Sequence, residues 1–264
     1  MIKPYVTAKK LFFIWIAIAF GLSWASAPVH ASGGQTVRVA VASNFITTVN
    51  DLAAIFKAET GVDVLVSAGS TGKLYAQIKN GAPYDVFMAA NAREPERLEQ
   101  DGTAVAGSRF TYAEGRLALW CRNALTPNEA KDCLSTDGLR LAIANPRLAP
   151  YGSAAQEALE GLGIQTRVVK GENISQAFQL VWSGNVPVGF VALSQIQSRD
   201  EVIGAYWEVP ETLHTAIEQQ TVLLTKAKDK PVAKAFMSFL KSAKAREVIA
   251  AYGYSISSNM VEVR

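Results

Sequence analysis

Two short apolar runs in the first third of this 264-residue chain each break into serine and then into a helix-period pattern. Val37–Ala42 leads into Ser43-Asn44-Phe45, and Val62–Val66 leads through Ser67-Ala68-Gly69 into Ser70-Thr71-Gly72. Runs of this length, rich in valine, read as buried strands of the kind found in parallel sheets. Ser43 and Ser70 then stand where a helix N-cap belongs, at the carboxyl end of each strand. A hydroxyl beside the free N–H groups of a helix start can hold an anion with no formal positive charge. Two such starts side by side at the top of an α/β sheet would form an anion site from hydroxyls and amides alone.

Two later segments have the same character. Tyr151-Gly152 follows Pro150 just ahead of a helix expected over Ser153–Leu162, and Asn173 is a good N-cap that leaves Ile174 at the first helical position with a free N–H. Any one of these starts is ordinary capping. Four of them meeting at one point would make a site with many donors, few acceptors and little formal charge. That composition suits a fully ionised oxyanion, whose oxygens can only accept hydrogen bonds. Charge-assisted bonds contribute roughly 1.5–3 kcal/mol each, so six or seven could offset the desolvation of a dianion and leave about −8 kcal/mol of binding or better. A protonated phosphate needs an acceptor for its own proton, and the nearest carboxylate, Glu172, is only adjacent to these donors. Sulfate, molybdate or tungstate fits better.

Catalytic patterns are missing. Of the two histidines, His30 lies in the leader described below, and His214 sits in LHTAIEQQ, which has neither nucleophile elbow nor partner motif; it reads as a surface or interdomain residue. No H-E-x-x-H or clustered metal-ligand spacing occurs, so no enzyme and no cofactor are expected. Gly69-Ser70-Thr71-Gly72-Lys73-Leu74 resembles a nucleotide phosphate loop only superficially, because residue 67 is serine and Leu74 stands where a hydroxyl is required. Asp85 reads as a structural acceptor, Lys73 as a surface cation, and Phe45, Tyr75 and Phe178 as packing residues.

The elements that must position these groups follow from the remaining pattern. Residues 1–31 read as an export leader: three lysines and no acid within Met1–Lys10, an apolar Leu11–Phe20, and Val29-His30-Ala31 as a small-residue cleavage point. The apolar stretch is short for a membrane span, and no cysteine near it invites lipidation. Cleavage near Ala31 would remove three of the 26 basic residues and leave 23 against 23 acidic ones, a formal charge of zero. Nothing then suggests a nucleic-acid or anionic-membrane partner. Cys121 and Cys133, both in the exported part, suggest a disulfide across Arg122–Asp132, the other reading being two free thiols. Strands expected at Tyr84–Ala90, Leu117–Cys121, Leu139–Ala144, Thr166–Val169, Val186–Val191 and Thr221–Thr225 alternate with helices at Glu94–Gln100, Asn173–Ser183 and Pro231–Tyr252, the last broken near Ser242-Ala243. This alternation indicates an α/β architecture with parallel sheets. Crossings between two domains are expected near Tyr112–Arg116 and Thr215–Gln220.

Several segments resemble the periplasmic molybdate-binding proteins of ABC importers, in the type II periplasmic binding fold. They are VRVAVASNF, VSAGSTGKLYAQIKNGAPYDVFMAANA, RLAIANPRLAPYGSAAQEALEGLG, GENISQAFQLVWSGNVPVGFVALSQ and FMSFLKSAKAREVIAAYGY, and together they span most of the exported chain. The resemblance implies two lobes, each a mostly parallel sheet flanked by helices: lobe 1 from 32–113 plus 217–264, lobe 2 from 114–216. It further implies a tetrahedral oxyanion held in the cleft by hydrogen bonds from Ser43, Asn44, Ser70, Tyr151 and Ile174. Many members place a tyrosine after the strand equivalent to Val188–Val191; this chain has Ala192, which shifts weight onto Asn44 and the Tyr151 loop, with the Tyr151 amide favoured over its phenol. The implied role is capture of molybdate and tungstate for a membrane permease, by a periplasmic monomer without cofactor. Alternatives are a receptor for sulfate or another oxyanion, or a secreted enzyme or sensor on the same fold.

Overall fold

The computed structural model describes residues 36–256; the expected leader lies outside them. In chain order the elements are β1 (Thr36–Ala42), α1 (Ile46–Thr60), β2 (Asp63–Gly69), α2 (Thr71–Lys79), β3 (Val86–Met88), α3 (Arg93–Gln100) and β4 (Phe110–Gly115). The chain continues with β5 (Leu117–Cys121), α4 (Pro127–Asp132), β6 (Arg140–Ala144), α5 (Pro150–Gly161), β7 (Arg167–Gly171), α6 (Ile174–Trp182), β8 (Val188–Ala192), α7 (Leu193–Gln197) and β9 (Ala205–Glu208). It closes with β10 (Ile217–Leu223), α8 (Pro231–Leu240) and α9 (Ala243–Ala251).

These strands form two five-stranded sheets, β2-β1-β3-β10-β4 and β7-β6-β8-β5-β9. The chain leaves the first sheet at Arg116, between β4 and β5, and returns between Glu208 and Ile217. Each sheet is mixed for a common reason. The strands joined by helical crossovers (β1, β2, β3 and β6, β7, β8) pair in parallel, whereas β10, β4, β5 and β9 flank the two crossings and run antiparallel to their neighbours.

Each sheet has its own core. Val37, Val39 and Val41 on one face of β1, and Ala40 on the other, are fully buried; β2, expected to be buried as well, is an edge strand with Leu65 exposed. Beneath the β1 valines Phe56 packs edge-on against Phe236 with ring centroids 5.3 Å apart. In the second sheet Trp120 stacks on Phe178 at 5.0 Å, and Phe178 stacks on Trp182 at 5.7 Å. A disulfide joins Cys121 at the end of β5 to Cys133, just beyond α4.

Several local expectations change. The helix expected from Ser153 begins at Pro150, because proline's fixed φ and missing N–H suit the first helical position; Tyr151 therefore lies inside the first turn, not ahead of it. Ser43 is not an N-cap but opens a short 3₁₀ turn, Ser43–Phe45, that precedes α1. Ser70 does hold the N-cap position of α2, yet its hydroxyl makes no capping bond. Asn173 caps α6 as expected, its side chain accepting from the Gln176 N–H at 3.0 Å. Strands β4 and β9, and helices α4 and α7, were not foreseen; β4 contains Tyr112, where a crossing was expected.

Candidate functional site

The four helix starts lie at equivalent places. β1 and β2 pair so that Ala42 faces Gly69, and β6 and β7 pair so that Ala144 faces Gly171. Each of these parallel strands runs out at its carboxyl end into one of the starts. Ser43, Asn44, Ser70, Tyr151 and Ile174 line a single small cavity, with Thr71, Asn173 and the backbone of Ala149-Pro150 completing its wall. No carboxylate and no cationic side chain is among its lining residues.

The two halves touch around this cavity. The Ser175 hydroxyl donates to the Ser43 carbonyl at 3.0 Å, and the Ser175 N–H reaches the Ser43 hydroxyl at 3.4 Å. The Gly72 N–H donates to the Leu148 carbonyl at 2.9 Å. A Cβ at residue 72 would lie 3.3 Å from the Leu148 backbone, so glycine permits this approach. Outside them Lys73 pairs with Glu172 at 3.0 Å, both half-exposed. Lys73 is thus a strap between the halves and not a cavity group, and Glu172 is engaged by it.

Donor accounting shows what the cavity can do. The Ser70 hydroxyl is buried and has no partner among the described residues. A buried polar group left unmade costs about 1–3 kcal/mol, which an incoming acceptor would recover. Tyr151 and Ile174 occupy the second and first positions of α5 and α6, where a backbone N–H has no intrahelical acceptor. Positive helix ends and unspent donors therefore face one small volume, the arrangement expected to hold an anion.

Two side chains behave differently from the expected ligand set. The Tyr151 phenol is buried against the strands that join the sheets: a Cβ on Gly115 would overlap its hydroxyl and would also crowd Ile217. That hydroxyl has no partner among the described residues, and burial pushes its pKa well above the ordinary tyrosine value, with Tyr254 and Tyr112 adding to the shift. Asn44 directs its side-chain nitrogen away from a ligand, donating to Gln219 Oε1 at 2.7 Å and to Tyr254 Oη at 3.1 Å. Tyr254 in turn donates to the Asn44 carbonyl at 2.9 Å, and Tyr112 lies 3.3 Å from Gln219 Oε1. This network was missed in the sequence. Its signal was Gln219-Gln220-Thr221, three buried polar residues in a strand whose apolar members, Ile217, Val222 and Leu223, are buried too.

The remaining candidates fall outside the cavity. Asp85 accepts from the Arg38 N–H at 2.7 Å and from Lys230 at 2.6 Å, a structural acceptor as expected. His214 is buried on the return crossing, with Nδ1 2.8 Å from the Thr215 carbonyl. Phe45 packs between Tyr112 and Tyr254, and Tyr75 carries Arg97 over its ring at 5.0 Å. No serine of the cavity has a histidine beside it among the lining residues.

Residues 37–255 match the family described as bacterial extracellular solute-binding protein. The chain belongs to that family. Among the solute-binding proteins it is 45% identical to the molybdate-binding protein of Azotobacter vinelandii over 232 residues, 86% of this chain and 92% of that one. It is 39% identical to the molybdate-binding protein of Rhodobacter capsulatus over 243 residues, 90% of this chain and 93% of that one. The solved structure of the Azotobacter vinelandii periplasmic molybdate-binding protein superposes with a TM-score of 0.79 at 40% identity, covering 84% of this chain and all of the other. Each of these relatives is named for binding molybdate, a ligand, and none for a reaction.

Proposed function

We propose that this protein captures molybdate, and tungstate with it, and delivers the anion to the membrane components of an ABC importer. One observation carries the reading. Two serines and two helix starts, from two different sheets, line one cavity without a carboxylate, in a chain 45% identical to a molybdate-binding protein. Ser43, Asn44 and Ser70 contribute from lobe 1, Tyr151 and Ile174 from lobe 2. The Tyr151 contribution is its amide, since the phenol is committed to the hinge side. Lobe 1 comprises 32–113 plus 217–264 and lobe 2 residues 114–216; the two swing about the crossings at Arg116 and before Ile217. Neither half alone offers enough donors, so the closed form is the one that the anion selects. Molybdate is the transported ligand here, not a cofactor.

No carboxylate lines the cavity to take the proton of a singly protonated phosphate, which disfavours that ligand. Sulfate satisfies the same donor chemistry, and discrimination against it rests on size, because donors set for longer metal–oxygen bonds reach sulfate oxygens poorly. The protein acts in the periplasm as a monomer after removal of a leader near Ala31, with no nucleic-acid partner. Titration calorimetry with molybdate, tungstate, sulfate and phosphate tests the reading. Tight molybdate and tungstate binding is expected; tight sulfate binding with no molybdate heat would overturn the substrate.

A further inference from the structure

Behind the cavity lies a pair of amides whose hydrogen bonds do not balance. Gln219 is fully buried on β10, and its Nε2, with two protons to donate, has no partner among the described residues. Its Oε1 meanwhile accepts from Asn44 Nδ2 at 2.7 Å and lies 3.3 Å from Tyr112 Oη. Asn44 lines the cavity and spends its side-chain donors on Gln219 and Tyr254, so the one side-chain atom it has left to offer a ligand is Oδ1, an acceptor. That arrangement wastes two donors in the core and leaves Asn44 with only an acceptor for a site otherwise built of donors. An amide's oxygen and nitrogen are nearly isosteric, so turning both groups over moves no other heavy atom.

With both amides turned, Gln219 Nε2 donates to Asn44 Oδ1. Its second proton points at Tyr112 Oη, which still donates to the Ala89 carbonyl at 3.1 Å. Tyr254 no longer accepts from Asn44; its single proton lies between the Asn44 carbonyl at 2.9 Å and Asn44 Oδ1, which takes the place of the nitrogen at 3.1 Å. Asn44 Nδ2 is then released toward the cavity. The bare group left behind is Gln219 Oε1, and a buried carbonyl tolerates that better than a buried N–H does.

We propose that Gln219 is a specificity-determining positioning residue: in the loaded protein it donates to Asn44 Oδ1, so that Asn44 presents its N–H to the oxyanion. Gln219 does not touch the ligand. It acts by deciding which end of the Asn44 amide faces it, and so whether the site rejects an oxyanion that carries a proton. This rests on the oxyanion reading above and extends it to a residue 175 positions from Asn44 in the chain.

Neutron diffraction of molybdate-loaded crystals of the protein, exchanged into deuterium oxide, locates the amide deuterons directly. Deuterons on Asn44 toward the ligand and on Gln219 toward Asn44 Oδ1 are expected. Deuterons of Asn44 still directed at Gln219 would overturn the proposal. Gln219→Met provides a second readout by calorimetry. Without its partner, the Asn44 amide is free to turn and meet a proton on the ligand, so the preference for molybdate over phosphate should fall at least fivefold. A general weakening with that ratio unchanged would mean that Gln219 is merely structural. Should the wild-type protein bind sulfate and give no molybdate heat, the ligand reading fails by itself, and sulfate-loaded crystals decide the amide pair in the same way.

Discussion

The two halves of the cavity are built to the same plan and use different chemistry. In both, paired parallel strands end level with each other and run into helix starts. The β1–β2 half adds side-chain hydroxyls and an amide, Ser43, Ser70 and Asn44, backed by the Gln219–Tyr254–Tyr112 network. The β6–β7 half offers main-chain N–H groups at Tyr151 and Ile174, and its only phenol at the cavity is turned away. One half can be edited by changing a side chain. The other is reached only by changing the backbone, which is why a large side-chain replacement there can be quieter than a small one on the first half.

The halves also differ in how they are held. The second sheet is stapled by Cys121–Cys133, and the first has no disulfide among the described residues. Reducing the bond, or replacing both cysteines with serine, should cost about 3 kcal/mol of stability in urea melts. Molybdate affinity should stay unchanged, because neither cysteine lines the cavity. An affinity loss would mean that the staple shapes the site.

Ser70→Ala and Ile174→Pro set the halves against each other most sharply. Each removes one of the proposed donors to the anion and should weaken binding by roughly 1.5–3 kcal/mol. Ser70→Ala should also stabilise the ligand-free protein, because it deletes a buried unpaired hydroxyl. Proline is tolerated at the first position of α6, and Asn173 ahead of it is already extended at φ −139° and ψ 175°. Comparison with Ile174→Ala separates the lost N–H from the lost side chain. Equal affinities for the proline and alanine variants would remove Ile174 from the site.

Tyr112, Tyr254 and Tyr151 converge from the two halves on the buried polar network, and burial raises the pKa of each phenol. A raised folded-state value means that the phenols' stabilising share is complete below the unfolded value near 10 and is lost as pH rises beyond it. The slope is roughly 1.4 kcal/mol per pH unit for each phenol. Urea melts between pH 9 and 11.5 measure it. Tyr151→Phe should reduce that slope by one proton while leaving molybdate affinity at the wild-type value; a tenfold loss would place the phenol on the ligand.

The smallest effect belongs to the strap. Lys73→Ala removes a half-exposed pair worth about 0.2–1 kcal/mol, less at high salt. The apparent affinity should drop by less than about fivefold, and 0.5 M salt should erase the difference. A larger loss would make Lys73 part of the anion's own surroundings.

Much of this was legible in the chain because the signals are local. Valine runs ending in serine mark β1 and β2, Asn173 marks the start of α6, and the Cys121–Cys133 spacing marks the staple. Helix-start donors follow from hydrogen-bond geometry once a start is located. Less legible was anything decided by packing. Pro150 moved the start of α5 by three residues, the hydroxyls of Ser43 and Ser70 turned out not to cap, and the edge strands β4 and β9 have weak patterns of their own.

The sequence by itself determined the alternation of strands and helices, the neighbourhoods of the four helix starts, the lack of a catalytic motif around the serines, and the even charge of residues 32–264. These depend on residues within a few positions of one another. Only the tertiary structure decided that the four starts meet at one cavity, that Tyr151 sends its phenol to the hinge strands, and that Gln219 lies against Asn44. Those facts join segments distant in the chain, Asn44 and Gln219 by 175 residues, and it is the pairing of the sheets, with the room left by the missing side chains of glycines such as Gly72 and Gly115, that brings them into contact.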